Sequence, residues 1–302
     1  MKRLVAAGIA VALVGQSGDA RADEHNPTNI DWKVDGIVTG SAFAGIFIMM
    51  LLPVDRSNRW QGEIFGSLDE SVKDNFSRTA AHLSDGLVTT VVAAPLLLKF
   101  ADGVDENDAR FALVYGETLG LSLLANSIAK YTVQRPRPYI YNPNPQVREY
   151  REKAGNDAYV SFYSGHASMS FSAAVAGSYL YALESDNENS KAAIWGVELG
   201  LATATSLLRV RAGKHFYSDI LVGAAAGTAI GLLVPALHTN GGIYQPSGKE
   251  WAAMAVGVGI GGLFGQFFPT GNGSESSGAL QSMKLAPLAT KDGGGLSLSG
   301  LF

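Results

Sequence analysis

The sequence contains no cysteine among its 302 residues. Disulfide bonds, thiolate nucleophiles and cysteine-ligated metal centres are therefore excluded. Charge is also sparse, because only 17% of the residues are charged and the net charge is −4. Such a chain lacks the basic field that a nucleic-acid partner requires. Apolar residues make up 47% of the chain, and 36 residues are glycine, a composition that lies between soluble helical proteins and membrane proteins.

The N-terminal residues have the pattern of an export signal. Lys2 and Arg3 precede an apolar run from Leu4 to Val14, and residues 20–22 read Ala-Arg-Ala, a small-x-small cleavage pattern. We therefore predict a signal peptide at 1–22, with an uncleaved anchor helix as the alternative. The signal predicts an exported protein of the bacterial cell envelope, which is periplasmic and associated with the membrane, or an integral membrane protein.

Apolar segments of helical length recur after the signal. Alanine, leucine and glycine dominate them without strict alternation, which favours helix over strand. The predicted helices are 36–53, 87–101, 109–129, 167–184, 192–208 and 218–237. A further amphipathic helix is predicted within 54–83, around Phe65, Leu68, Val72 and Phe76. The fold class that follows is all-α, with a six-helix bundle as its core.

Two segments depart from this helical pattern. Residues 131–165 contain four prolines, which exclude a regular helix through this connection. The glycine-rich segment 251–268 fits a strand or a helix, and residues 291–295 read as the turn of a small C-terminal β-hairpin. We therefore divide the mature chain into a helical domain at 23–250 and a C-terminal extension at 251–302.

Three cations stand at the ends of predicted helices or shortly after them. Lys130 closes the third helix, Arg137 follows in the proline-rich connection, and Arg209 closes the fifth helix. One ammonium group and two planar guanidinium groups are well suited to bind a phosphate. A single cation at a helix end more often extends into solvent, so the hypothesis depends on all three together.

A short polar motif, Ser164-Gly165-His166, directly precedes the fourth predicted helix. Free N–H groups and the helix dipole favour an anion at this position, and glycine lets the backbone approach it closely. Ser164 either donates its hydroxyl to the anion or caps the helix. The dipole disfavours a charged imidazole, which suits His166 to give up a proton as general acid.

His215 and Asp219 are four residues apart at the start of the sixth predicted helix. On one helical face, Asp219 accepts a hydrogen bond from one ring nitrogen and leaves the other free to attack phosphorus. The alternatives are an ordinary His–Asp surface pair and a metal site formed by His166, His215 and Asp219. The nearby cations oppose a divalent ion, so we predict no metal and no cofactor.

These spacings resemble the motifs of the type 2 phosphatidic acid phosphatase and vanadium haloperoxidase superfamily. Lys130 is followed after six residues by Arg137-Pro138, and Arg209, His215 and Asp219 have the spacing of the third motif. Arg135-Pro136 lies outside the register of the first motif. Tyr163 and Leu208 stand where the family has proline and serine, and the missing serine removes one phosphate donor.

The resemblance covers about residues 36–237 and implies a six-helix core with a phosphohistidine intermediate. It implies His215 as nucleophile, Asp219 as its orienting residue and His166 as general acid. The residues implied to hold the phosphoryl oxygens are Lys130, Arg137, Ser164, Gly165 and Arg209. No metal is implied, and vanadate is the expected inhibitor.

The expected function is hydrolysis of a phosphoric monoester or diphosphate without a metal. The substrate classes that fit are phosphorylated lipids, isoprenoid diphosphates and small soluble esters, and the apolar composition favours a lipid. A vanadate-dependent haloperoxidase and a non-catalytic envelope module that binds phosphate remain as alternatives. No nucleic-acid partner is expected.

Overall fold

The computed structural model describes residues 28–57, 64–101, 103–240 and 242–270, and the backbone of strands at 284–290 and 293–299. The predicted signal peptide lies outside the described residues. The predicted domain boundaries at residues 22 and 250 stay predictions.

The regular secondary structure of the described chain is helical apart from its C-terminal strands, so the all-α prediction is confirmed. Its helices are α1 (Trp32–Met50), α2 (Ser67–Glu70), α3 (Arg78–Lys99), α4 (Glu106–Val133), α5 (Pro145–Lys153), α6 (Gly165–Glu184), α7 (Glu188–Arg211), α8 (Tyr217–Leu237) and α9 (Gly248–Phe267). The long helices α1, α3, α4, α6, α7 and α8 correspond to the six predicted segments. The segment that fitted a strand or a helix is α9.

The C-terminal strands pair as a hairpin, as the turn composition predicts. Strand β1 (Lys284–Thr290) and strand β2 (Gly293–Ser299) are antiparallel, and Thr290 lies opposite Gly293. Part of the predicted turn, residues 291 and 292, lies outside the described residues, and Gly293 to Gly295 belong to β2.

The amphipathic helix predicted within 54–83 is wrong. Among the described residues around Phe65, Leu68, Val72 and Phe76, only the four-residue helix α2 forms. The Asp69 side chain of α2 is fully buried because it accepts hydrogen bonds from Ser218 and Arg135. A new helix, α3, begins after Ser77, whose Oγ accepts from the Ala80 N–H at 3.2 Å.

The proline-rich connection is also more regular than predicted. It contains α5, which starts with Pro145 directly after the cap residue Asn144. Proline is well tolerated at the first helical position because its missing N–H has no partner within the helix there. Prolines therefore interrupt the connection without preventing a nine-residue helix.

Glycines set the close packing of α8 on α6. A Cβ atom on Gly223, Gly227 or Gly231 would lie 2.7, 2.2 or 2.8 Å from a carbonyl oxygen of α6 or of its cap residue. These glycines are four residues apart and therefore form one stripe along α8. The stripe holds the N-termini of both helices side by side, and the Ser164 N–H donates to the Asp219 carbonyl at 3.0 Å.

Chain direction brings the predicted motifs to one end of the bundle. Helices α4 and α7 end there, and α6 and α8 begin there. Residues 134–164 cover this end, which we call the capped pole; the other end, near residues 99–106 and 238–247, is the distal pole. Each motif lies at a helix terminus of the capped pole.

The outer surface of the bundle is apolar. Five stretches are long and apolar enough to cross a membrane, namely Trp32–Met50, Arg78–Lys99, Glu106–Ile140, Glu188–Arg211 and Tyr217–Leu237. In the first of these stretches, only 11% of the most apolar 18-residue segment is buried inside the bundle. Large side chains such as Phe47, Ile260 and Phe267 are exposed, a surface that is typical of an interaction site or of contact with lipid.

Candidate active site

The Asp219 carboxylate is fixed by donors on both of its oxygens. Oδ1 accepts from Arg135 Nη1 at 2.8 Å, and Oδ2 accepts from Ser161 Oγ at 2.6 Å and from the Phe216 N–H at 3.0 Å. Asp219 is completely buried in the first turn of α8. A buried carboxylate with this many donors is held in one orientation.

Arg135 is a central part of this network, although its motif register suggested otherwise. Its guanidinium is fully buried and also donates to Asp69 Oδ2 at 3.1 Å and to Ser218 Oγ at 2.8 Å. It lies 3.9 Å from the centre of the Phe216 ring. Arg135 is outside the register of the first motif, and its contact with Asp219 was not predicted. The repeated Arg-Pro at 135–138 was the signal in the sequence.

His215 lies in the connection between α7 and α8 and is almost completely buried. Its Nε2 is 3.0 Å from Arg137 Nη1. Its Nδ1 is 3.4 Å from Ser161 Oγ and 3.6 Å from Asp219 Oδ2. The predicted pair is therefore formed, but Ser161 lies close to both partners and the contact between ring and carboxylate is longer than a hydrogen bond.

The contacts of His215 determine which ring nitrogen carries the proton. A guanidinium only donates, so Nε2 must accept from Arg137 and the proton is on Nδ1, facing Ser161 and Asp219. Burial, and then the Arg137 charge, hold the pKa of His215 well below its ordinary value. The ring is therefore neutral, with the lone pair of Nε2 directed toward the cations.

Hydrogen bonds to Asp157 and Lys214 hold the Arg137 guanidinium in place. Its Nε donates to the Asp157 carbonyl and its Nη2 to Asp157 Oδ1, both at 2.7 Å, and its Nη1 donates to the Lys214 carbonyl at 2.9 Å. Burial disfavours the Asp157 carboxylate, but the charge and hydrogen bond of Arg137, together with the charges of Lys214 and Lys130, outweigh burial, so the pKa of Asp157 lies below its usual range. Asp157 was not predicted, because no motif includes it.

His166 and Arg209 share one carboxylate. His166 Nε2 is 2.7 Å from Asp85 Oδ1, and Arg209 Nη1 donates to the same oxygen and to Ser84 Oγ, each at 3.0 Å. Burial lowers the pKa of His166 to about 4, against the opposing effect of the hydrogen bond to Asp85. Asp85 lies in α3, in a stretch where the sequence predicted no contact with the motifs.

Arg209 and Lys130 retain donor capacity in the site. Arg209 is 5% exposed, and its Nε has no hydrogen-bond partner among the described residues. Lys130 makes no hydrogen bond or ion pair within the same part of the chain, and a Cβ on Gly165 would lie 3.4 Å from its Nζ. Donors without protein partners, gathered around a neutral imidazole, are suited to an anion.

Contacts within the protein position both Gly165 and Ser164. A Cβ on Gly165 would lie 2.8 Å from Asn126 Oδ1, whose Nδ2 donates to the Tyr163 carbonyl at 2.7 Å. Ser164 Oγ accepts from the Ala167 N–H at 3.3 Å. Ser164 therefore caps α6, which is one of the two roles that the sequence left open.

Lys214 is a further cation of the capped pole, and it directly precedes His215. Its Nζ bonds to the Tyr150 hydroxyl and lies 5.3 Å from the centre of the Tyr139 ring. Burial, and then the Arg137 charge, lower the pKa of Lys214 to about 8. By contrast, Leu208 is fully buried against apolar neighbours of α3 and α7, so it cannot supply the donor that a serine would.

The predicted residues converge at the capped pole, where His215 lies beside Arg137 and Asp219, and Asp85 joins His166 to Arg209. The positive charges of Arg137, Arg209, Lys130 and His166 each lower the pKa of His215. A family model described as the PAP2 superfamily matches residues 111–242.

Residues 111–242 belong to the PAP2 superfamily. The matched range contains every predicted site residue, from Lys130 to Asp219. Comparison with curated proteins and with solved structures gave no match. PAP2 membership supports a phosphatase or haloperoxidase-like activity in general. The resemblance that the motif spacing predicted is thereby confirmed.

Proposed function

We propose that this PAP2 protein is a metal-independent phosphatase that forms a covalent phosphohistidine on His215. The observation that carries the proposal is the Nε2 of His215, which is neutral and accepts from Arg137 Nη1 at 3.0 Å within a buried group of cations. A neutral imidazole beside donors for phosphoryl oxygens is the arrangement that nucleophilic attack on phosphorus requires.

The first step joins His215 Nε2 to phosphorus. Without substrate, Nε2 accepts a hydrogen bond from Arg137 Nη1. When substrate binds, a phosphoryl oxygen accepts this hydrogen bond instead, which frees the lone pair of Nε2 for attack. The N–P bond forms as the bond from phosphorus to the leaving oxygen breaks. The ring becomes positive, and Asp219, with Ser161 beside it, stabilises that charge while the proton stays on Nδ1.

The donors around the ring bind the phosphoryl oxygens. Arg209 Nε and Lys130 Nζ have no protein partner among the described residues, and backbone N–H groups at the start of α6 add further donors near Gly165. In this proposal Ser164 contributes chiefly by capping that helix. These groups supply the charge stabilisation that a metal ion supplies in other phosphatases.

His166 transfers the protons. Asp85 only accepts, so the ring nitrogen that faces it, Nε2, carries a proton. Nδ1 is then the atom that protonates the leaving oxygen in the first step. In the second step Nδ1 takes a proton from the water that attacks the phosphohistidine, and phosphate release restores neutral His215.

We also propose that the bundle is embedded in a membrane of the cell envelope and acts on a phosphorylated lipid. The exposed apolar side chains and the stretches long enough to span support this placement. The sequence predicted a periplasmic bundle or an integral membrane protein, and the apolar exterior of the bundle supports the second of these. The site at the capped pole then lies at the level of lipid headgroups.

The test is phosphate release by the detergent-purified protein from a phosphatidate, an isoprenoid diphosphate and a soluble aryl phosphate. We expect release that persists in a chelator and is inhibited by vanadate, a mimic of the trigonal-bipyramidal transition state. Activity that appears only with a divalent ion, or halide oxidation in vanadate without phosphate release, would contradict the proposal.

A matched pair of histidine variants tests the role of His215. His215→Ala should lower kcat by about 10³-fold or more, because it removes the nucleophile. His82→Ala changes an exposed histidine outside the site and should leave turnover unchanged. Equal activity of the two variants would remove His215 from the mechanism.

A further inference from the structure

A second cluster of titratable side chains lies at the distal pole. Asp35 is in the first turn of α1, Glu117 is in α4, and His238 directly follows α8. His238 Nε2 is 3.5 Å from Asp35 Oδ1 and 3.6 Å from Glu117 Oε2. The cluster therefore joins three helices that are far apart in the sequence.

This cluster is separate from the candidate active site. Glu117 precedes Lys130 by 13 residues on α4, which is a rise of about 20 Å at the helical pitch. His238 lies at the end of α8 opposite to Asp219. The residues of the cluster therefore have no direct part in phosphoryl transfer.

The His238 ring is oriented by its own helix. Its Nδ1 is 2.8 Å from the Val234 carbonyl oxygen, which only accepts, so Nδ1 carries a proton. A neutral ring then presents the lone pair of Nε2 to Asp35 and Glu117. A backbone carbonyl on one ring nitrogen is the usual support of a histidine whose other nitrogen binds a metal.

Glu117 supplies an independent sign of a missing partner. The residue is 6% exposed, and its Oε2 has no hydrogen-bond partner within the described part of the chain. Leaving a buried carboxylate oxygen without a donor is costly. This oxygen points toward Nε2 of His238 from a distance beyond hydrogen-bond range, so a small cation between the two would satisfy both.

We propose that Asp35, Glu117 and His238 bind a divalent transition-metal ion of the Zn²⁺ class. Bonds of about 2.0–2.1 Å in a tetrahedral site place neighbouring ligand atoms roughly 3.4 Å apart. The distances from Nε2 to the carboxylate oxygens, 3.5 and 3.6 Å, are close to that spacing. Two carboxylates balance the charge of the ion, and one imidazole favours zinc over magnesium or calcium.

The ion would tie the N-terminal helix to the rest of the bundle. The chain just before α1 already contacts the same corner, since the Asn29 N–H donates to the His238 carbonyl at 2.6 Å and Thr28 forms a bridge with Thr239. Because little of α1 is buried in the bundle, a metal link between α1, α4 and the end of α8 would stabilise its attachment.

The test is Zn²⁺ binding to the untagged, full-length protein in detergent, measured by titration calorimetry and by metal content after desalting. We expect one equivalent of Zn²⁺ per chain. Glu117→Gln and His238→Ala should each weaken binding by at least about tenfold. His215→Ala and His82→Ala, which remove histidines outside the cluster, should bind as the wild type does.

A stability readout covers the case in which one variant fails to fold. Zn²⁺ should raise the Tm of the wild type and leave that of Asp35→Asn unchanged, because a ligand stabilises only a protein that binds it. No Zn²⁺ in the wild type, or binding that survives both Glu117→Gln and Asp35→Asn, would overturn the proposal.

Discussion

The Asp219 carboxylate is oriented by residues that lie far away in the sequence. Arg135 bridges Asp219 and Asp69, and all three side chains are completely buried. Charges in such a network are stable only together, because removing one leaves the others desolvated and unpaired. The orientation of Asp219, the carboxylate beside His215, therefore depends on a cation outside the three motifs.

Replacing this cation tests the dependence. Arg135→Lys keeps the charge but loses the planar fork that reaches both carboxylates, so we expect a loss of about 3 kcal/mol in the free energy of unfolding. We also expect kcat, rather than KM, to fall by about tenfold or more, because the change acts through Asp219 on the nucleophile.

Arg148→Lys is the matched control, since the Arg148 side chain is 70% exposed and 3.8 Å from Glu152. Its free energy of unfolding should change by less than about 0.5 kcal/mol. An Arg135→Lys protein as active and as stable as this control would show that Asp219 is oriented without Arg135.

The pair of His166 and Asp85 makes a prediction about pH. His166 must be protonated to act as acid, so kcat/KM should fall as pH rises above its pKa, which is about 4 in the protein without substrate. The hydrogen bond to Asp85 raises that pKa. Asp85→Asn should therefore lower the pKa of His166 and move the falling limb of the profile to lower pH.

The pH profile separates this effect from the weakened hydrogen bond between Arg209 and residue 85. A weakened hydrogen bond to Arg209 would change KM at every pH. Asp186→Asn, in the exposed connection before α7, is the control and should keep the wild-type profile. A limb that stays in place in Asp85→Asn would mean that proton transfer does not involve this pair.

The residues with motif spacing were predictable, and their partners were not. Lys130, His166 and His215 stand out because each lies at a helix end in a fixed pattern. Asp85, Asp157 and Ser161 have no such pattern, because their contacts are made only when distant segments meet. Arg135 was missed for another reason, since the neighbouring Arg137 satisfied the motif.

At the scale of the helices and their connections, the connection between α7 and α8 determines where His215 lies relative to Arg209 at the end of α7. Gly213, in its middle, has a φ of +67°, and a Cβ there would lie 2.0 Å from the Asn75 carbonyl oxygen. The Gly213 carbonyl accepts from the Tyr139 N–H at 3.1 Å. The connection is therefore pressed between two backbone segments, and only glycine fits.

Gly213→Ala should lower the free energy of unfolding by more than about 2 kcal/mol and lower phosphate release, because the connection must shift. Gly242→Ala is the control, as Gly242 also has a positive φ, +79°, but open space around its Cβ position. It should cost about 1 kcal/mol and leave activity unchanged. Equal effects would show that backbone conformation alone, and not the contact with Asn75, matters.

Apolar periodicity predicted the long helices well but not the short ones. Alanine-rich and leucine-rich segments such as α6 and α8 are helical by composition and by packing. Residues 64–77 are apolar at helical spacing, yet Asp69 is drawn into the ion-pair network and α2 ends after one turn. A tertiary contact of one charged residue therefore outweighs local periodicity.

The bundle as a whole has polar poles and an apolar circumference, which is the pattern expected of a chain that crosses a membrane. Because the sequence has no cysteine, a single introduced cysteine reports the accessibility of one pole to a thiol reagent, without labelling of any native cysteine. Lys153→Cys lies at the capped pole and Asp186→Cys at the distal pole, both at exposed positions.

A membrane-impermeant maleimide, added to sealed vesicles, should label only one of the two variants until the vesicles are opened. Both proteins should be insoluble without detergent. Labelling of both before opening, or a monodisperse protein in plain buffer, would contradict a membrane-embedded bundle.

Trapping the covalent intermediate on His215 decides the mechanism. The protein is mixed with an isotopically labelled phosphate ester, quenched in alkali within one turnover and digested for mass spectrometry, because phosphohistidine survives base but not acid. We expect the label on the peptide that contains His215, formed without added metal and absent from His215→Ala. Label on another residue, or full turnover with no phosphorylated histidine, would contradict nucleophilic attack by His215.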